Sequence, residues 1–290
     1  MIIVQLKGGF GNQLFQYAAG LSLASYHNVA VKVDISALAK PDEQINTIRN
    51  FDLKSICLPP EIATQQEIDD LINSNLFAKA IEKILPSYKR KIYKEASFNF
   101  DPNFYNAGSH LYLKGYRQSE RYFKKIKEKV QQQFVLQPQL TLHFKEKAKE
   151  LQSTTSVAVH IRMGDYNDKQ VMDYHGILSE DYYQAAFKHI NARIKNATFY
   201  IFTDDVKWVK ENMEMPPSAE FVSGSITQNH YEDFYLMSKC RHQVIANSSF
   251  SWWAAWLNPN PQKIVIAPKK WFNNPSLDTT DLIPGEWKKM

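Results

Sequence analysis

Ile2-Ile3-Val4-Gln5-Leu6-Lys7-Gly8-Gly9-Phe10-Gly11-Asn12-Gln13-Leu14-Phe15-Gln16-Tyr17 opens the chain. Its first five residues form a short apolar run of the kind that becomes a buried strand. Three glycines follow within four positions, and Leu14, Ala18, Leu21 and Ala24 then recur at helical spacing, with Phe15 beside them. Val29 to Asp34 reads as a second strand. Strand, glycine turn, helix and strand together begin a parallel α/β sheet.

Working outward, residues 61–95 are polar and helix-like, and Leu111-Tyr112-Leu113 reads as another strand. A long charged helix is expected from about 119 to 134, and a further helix from Pro138 to near Gln152. Ser153-Thr154-Thr155 has the character of a hinge, which places a domain boundary between 152 and 153. The second half is more regular. Val157–Ile161, Phe199–Phe202, Glu220–Val222, Val244–Ala246 and Ile264–Ile266 are predicted strands. Helices are predicted from Ser179, after Asp204, from Tyr231 and through Trp252, Trp253 and Trp256, which are expected in the core. This alternation predicts a doubly wound parallel sheet. Two such halves facing across a cleft suit a ligand held at the carboxyl ends of strands.

Four strand ends carry candidate chemistry. Gly9, Phe10, Gly11, Asn12 and Gln13 form a turn whose backbone N–H groups and helix N-terminus suit a pyrophosphate, with the two amides as extra donors. An ordinary tight βα turn accounts for the glycines equally well. The spacing fits neither the dinucleotide fingerprint nor the P-loop. His160 and Arg162 share a face of their strand. A strand-end arginine without an acidic neighbour in sequence calls for an anion, or else for a distant carboxylate. Asp204 and Asp205 are adjacent, so their side chains diverge. Helix capping and a polar contact to a sugar or base are both open, and a metal is disfavoured. Asn247, Ser248, Ser249 and Phe250 join a strand to an aromatic helix and offer a second anion cradle, against a plain serine cap. Two cradles and a strand-end arginine together make a coherent diphosphate site without a metal.

Bulk properties narrow the classes. The 290 residues carry 35 Lys+Arg and 30 Asp+Glu, a formal net charge of +5, with 44% hydrophobic residues. Those values are ordinary for a globular chain and exclude disordered, collagenous and coiled-coil classes. The two cysteines, Cys57 and Cys240, form neither a disulfide framework nor a metal knuckle. No nucleic-acid motif is present. The N-terminus lacks a signal-peptide pattern and no apolar run approaches a membrane span, so a cytoplasmic protein is expected. Lys89-Arg90-Lys91 and Lys124, Lys125, Lys127 and Lys129 form basic stretches that read as solvated faces or as a peripheral membrane contact.

Several of these segments share one further property. Gly8 to Tyr17, His160 to Tyr166, Asp204-Asp205, and the block containing Asp233, Met237, Cys240 and Asn247 to Trp253 resemble the motifs of the bacterial α-1,2-fucosyltransferases, glycosyltransferase family 11. A more distant similarity extends to the protein O-fucosyltransferases. The matches run in the family's order from residue 8 to about 258. The resemblance implies a GT-B fold of two Rossmann-like domains, an acceptor-side domain at 1–152 and a GDP-fucose-binding domain at 153–290. It implies inverting transfer of fucose from GDP-fucose, without a metal or other cofactor, to the 2-hydroxyl of a terminal galactose. Arg162 and Asn12 would lie near the donor phosphates, and Ser248, Ser249 and Phe250 around the nucleotide. His160 and Asp165 would face the fucose or the acceptor, with Asp165 the first choice of general base and His160 the second. One position departs from the pattern: Met163 stands where many members carry a second arginine. Another GDP-sugar transferase, an O-fucosyltransferase with a different acceptor, and a non-catalytic sugar-nucleotide-binding protein are the alternatives.

Overall fold

The computed structural model describes residues 1–40, 48–73, 82, 84–163 and 176–290. Its chain divides into two compact units. One comprises Met1–Val135 with Ser276–Pro284, the other Leu136–Pro275 with Gly285–Met290. The division therefore falls at 135/136, not at the expected 152/153. The reason is packing and hydrogen bonding. Ala148 and Leu151 are buried, and Glu150 Oε1 accepts a hydrogen bond from Tyr200 at 3.2 Å. Residues 136–153 thus belong to the second unit.

The first unit contains five parallel strands: β1 (Ile2–Gln5), β2 (Val31–Asp34), β3 (Glu61–Ile62), β4 (Ile92–Lys94) and β5 (Leu111–Lys114). Their order is β3-β2-β1-β5-β4, with the opening strand at the centre. Helix α1 (Phe10–His27) packs on β1. A Cβ on Gly20 would lie 2.2 Å from Val4 Cγ2, so glycine is what allows this close approach. In the polar 61–95 stretch, α2 (Gln65–Ile72) begins at a capping box in which Thr64 and Glu67 satisfy each other's backbone N–H groups.

The charged helix expected over 119–134 is broken. The chain makes 3₁₀ turns at Glu120–Tyr122 and Lys124–Ile126, and only then a short helix, α3 (Lys127–Gln133). Ser119 Oγ accepts from Arg121 N, and Tyr122 and Phe123 are both buried, so the backbone bends to seat two adjacent aromatic rings. One helical face cannot bury two consecutive residues equally. Two lysines of this stretch have partners within the fold: Lys124 pairs with Glu120 at 2.7 Å and Lys129 donates to Ser25 Oγ at 2.8 Å. Further on, Pro138 opens a 3₁₀ turn in place of a helix, and α4 spans Lys145–Ser153.

The second unit is a six-stranded parallel sheet built from β6 (Ser156–Ile161), β7 (Thr198–Thr203), β8 (Ala219–Phe221), β9 (His242–Val244), β10 (Val265–Ala267) and β11 (Lys288–Lys289). Its order is β11-β10-β9-β6-β7-β8. The two-residue β11 has no apolar pattern to announce it. It joins the sheet through backbone pairing with β10 alone. Besides α4, four helices belong to this unit among the described residues: α5 (Glu180–Asn191), α6 (Val206–Asn212), α7 (His230–Lys239) and α8 (Ser249–Leu257). β6 is buried along its whole length, as a central parallel strand covered on both faces must be. Trp252, Trp253 and Trp256 are buried as expected, with Trp287 against Trp252 at 5.3 Å between ring centroids. No helix among the described residues is long and apolar enough to cross a membrane.

Candidate functional site

In the second unit the register of β6 and β7 builds the site. Ile161 lies opposite Thr203, so the two strands end together and Arg162 and Asp204 leave the sheet side by side. Asp204 Oδ1 accepts the Met163 N–H at 2.8 Å, which fixes the chain immediately after Arg162. Met163 itself is buried among Val157, Val159 and Ile161, so it supports the core. Asp205 faces elsewhere: its Oδ1 caps α6 by accepting Trp208 N at 2.9 Å. The divergence of adjacent side chains has separated the two carboxylates.

His160 is buried, with Nδ1 2.9 Å from Ser251 Oγ and its ring 5.7 Å from that of Phe250. Burial lowers its pKa to about 4; Asp204 opposes the shift and Arg162 adds to it. The imidazole is therefore neutral at physiological pH. Both partners sit in the first turn of α8, whose N-cap Ser248 accepts Phe250 N at 3.3 Å. The N-terminus of α8 and Arg162 thus lie at the same edge of one sheet, joined through His160. Asn247 is directed inward, donating to the carbonyls of Gly176 and Trp271, both at 3.2 Å. It fixes the strand-to-helix turn rather than offering donors. Ser249 and Phe250 are half-buried, and the Phe250 ring also meets Phe234 at 5.3 Å.

In the first unit the glycine turn has the expected form. Gly8 has φ of +76°, and Gly9 caps α1 without a side-chain hydrogen bond. No acidic residue occupies the first turn, which leaves the positive end of the helix dipole uncompensated from within. Gln13 takes a different role from the one expected. It is 0% exposed, and its Nε2 donates to Gly8 O and Asn50 O while Oε1 accepts Asp52 N. Both amide N–H bonds are spent on the protein, so Gln13 ties the turn to 50–52. Phe10 is buried, so its side chain anchors the turn. Asn12 stays half-buried at the turn. Asp165, the first-choice base, lies outside the described residues.

Sequence reading missed several supporting groups. Gln16 clamps Lys7 by accepting its N–H at 2.9 Å and donating to its carbonyl at 3.0 Å. Its place one turn after Gln13 was the available signal. Ser251 was inside a quoted motif, but only the fold opposes it to His160. Asp233 is half-buried with a raised pKa, chiefly from desolvation, and takes hydrogen bonds from Ser223 and Thr227. Ser223 Oγ in turn accepts Thr203 N at 3.0 Å, so this network braces the end of β7. Among the described residues, no three His, Cys, Asp or Glu side chains are grouped to hold a metal ion.

With this geometry in hand, the whole chain, residues 1–290, matches the profile of Glycosyl transferase family 11. The chain belongs to glycosyl transferase family 11. It is a glycosyltransferase of that family, and its similarity to individual members is spread along its length. An alpha-1,2-colitosyltransferase of Escherichia coli is 31% identical, over 100% of this chain and 99% of that protein. The Escherichia coli O-antigen biosynthesis glycosyltransferase WbnK is 29% identical over 95% and 97%. Galactoside alpha-(1,2)-fucosyltransferase 1 of Rattus norvegicus is 25% identical over 86% of the chain, which spans 61% of that longer protein. Among solved structures, the fucosyltransferase NodZ from Bradyrhizobium superposes with a TM-score of 0.51 at 14% identity, covering 89% of this chain and 92% of that one. The family 11 chain therefore has the two-sheet α/β architecture of the GT-B class, as expected from its sequence.

Proposed function

We propose that this family 11 enzyme transfers L-fucose from GDP-fucose to the 2-hydroxyl of a terminal galactose, with inversion and without a metal. The observation that carries the reading is the edge of the second sheet, where Arg162 and the N-terminus of α8 converge around the neutral His160. A leaving diphosphate gains negative charge in the transition state. A guanidinium and a helix N-terminus fixed beforehand stabilise that charge without reorganising. In the first unit, Asn12 and the glycine turn at the N-terminus of α1 form a donor set that is itself suited to a phosphate. Ser249 and Phe250 border the nucleotide. Buried and neutral, His160 sets the Arg162 strand against α8 instead of moving a proton, which leaves Asp165 as the proposed base. Such a base takes the proton of the acceptor hydroxyl as the new glycosidic bond forms and GDP departs.

The similarity to a colitosyltransferase supports a second reading of the donor. Colitose is fucose without its 3-hydroxyl, so the two donors differ by a single hydrogen-bonding group. A site that binds that hydroxyl rejects the deoxy sugar strongly, whereas one that merely encloses it discriminates weakly.

The test is GDP release in EDTA with GDP-fucose or GDP-colitose as donor and lactose as acceptor. Acceptor-dependent release from GDP-fucose, with an α-1,2-linked product, supports the first reading. Turnover of GDP-colitose alone replaces the donor, and activity only after a divalent metal is restored overturns metal independence.

A further inference from the structure

Beyond the groups already described, one contact reaches the glycine turn from the end of β5. Gln118 is 6% exposed, and its Nε2 donates to Asn12 Oδ1 at 2.7 Å. Its other amide atom, Oε1, is buried with no hydrogen-bond partner. The two residues are 106 positions apart and meet because β5 lies beside β1 in the sheet.

The loop that delivers Gln118 is held at evident cost. Gly115 has φ of +125°, and a Cβ there would lie 2.2 Å from Glu95 Cβ. Arg117, a non-glycine residue, has φ of +51°. Glu95 fastens the loop by accepting Tyr116 N at 2.6 Å and Arg117 N at 2.7 Å. Arg117 is 1% exposed, with its guanidinium 4.2 Å from the Tyr93 ring centroid and 5.4 Å from those of Phe104 and Tyr122. Its Nη2 donates to Tyr93 O, but Nε and Nη1 have no partner. A left-handed backbone and unsatisfied guanidinium donors both oppose folding. Such expense collects where a loop must be held in one shape. Here that shape sets the amide of Gln118 against Asn12.

The Asn12 side is constrained from the opposite direction. A Cβ on Gly8 would fall 2.6 Å from Asn12 Nδ2, so that nitrogen lies over the glycine turn in space that only glycine leaves open. With Oδ1 taken by Gln118, the Asn12 amide has one orientation, with its N–H bonds over the turn.

Resting on the nucleotide-sugar reading above, we propose that Gln118 is a positioning residue for donor binding. It orients Asn12 so that Nδ2 donates to the donor's diphosphate. The test is a double-mutant cycle on GDP affinity, measured by calorimetry with wild type, Gln118→Ala, Gln118→Glu, Asn12→Ala and the Asn12→Ala/Gln118→Ala pair. Gln118→Ala should weaken GDP about threefold to tenfold, the range of one neutral hydrogen bond. Gln118→Glu should weaken it further, because a carboxylate only accepts and turns the Asn12 amide around. In the Asn12→Ala background, Gln118→Ala should change affinity less than twofold; independent, additive losses overturn the proposal. Without ligand, the Asn12 side-chain amide resonances should move in Gln118→Ala, and unmoved resonances overturn it as well. Failure of the wild type to bind GDP or GDP-fucose refutes the nucleotide-sugar reading, and the donor-binding role of Gln118 falls with it.

Discussion

His160 Nδ1 and Ser251 Oγ meet at 2.9 Å inside the second unit, joining the central strand β6 to the first turn of α8. The contact keeps a neutral imidazole beside Arg162, and it gives the fold a pH dependence of known sign. The folded pKa of His160, about 4, lies below the ordinary value of 6.5. The unfolded chain therefore binds this proton first, and stability is lost as pH falls from 6.5 towards 4. Between pH 7.5 and 5 this group should cost about 2 kcal/mol. Urea unfolding at the two pH values should show that loss in the wild type and not in His160→Asn. An equal pH dependence in both proteins would remove the assignment.

Arg162 is the group asked to do the most chemistry. Arg162→Ala should lower kcat/KM about 10²- to 10³-fold, the usual effect of removing one preorganised charge-stabilising group. Arg162→Lys should fall between, because an ammonium keeps the charge but not the planar fork. Initial rates of GDP release measure both. Turnover of Arg162→Ala within fivefold of wild type would move the diphosphate elsewhere.

Gly8 links backbone conformation to Asn12. A side chain at φ of +76° costs about 1–3 kcal/mol and also presses on Asn12 Nδ2. Gly8→Ala should therefore lower the urea midpoint and raise the KM for the donor together. A lowered midpoint with unchanged KM would show that Asn12 does not contact the donor.

Gly20 should be purely structural. Gly20→Ala places a methyl 2.2 Å from Val4 Cγ2 and should cost about 1–3 kcal/mol by overpacking. Val4→Ala in the same chain should recover part of that loss, as denaturation midpoints will show. Ordinary additive losses would mean that α1 shifts on β1 without strain.

Local patterns carried a definite share of this. The β1–glycine–α1 opening, the alternation of the second half and the serine turn before the tryptophans are short-range features, set by propensity and spacing. The broken helix over 119–134 was illegible because burial of Tyr122 and Phe123 overrides local propensity. The boundary at 135/136 was hidden because α4 is assigned to the second unit by long-range contacts, not by its own sequence.

The sequence by itself determined which residue types stand at the strand ends: Arg162, His160, Asn12 and Ser248 all follow apolar runs that must be buried strands. Tertiary structure alone decided what each does. Gln13 and Asn247 turned inward because nearby carbonyls needed donors, and His160 lost its proton affinity because α8 covers it. Gln118 reached Asn12 because β5 paired with β1. A side chain's type is local, but its hydrogen-bond partner and its desolvation are set by whichever distant strand or helix the sheet order brings beside it.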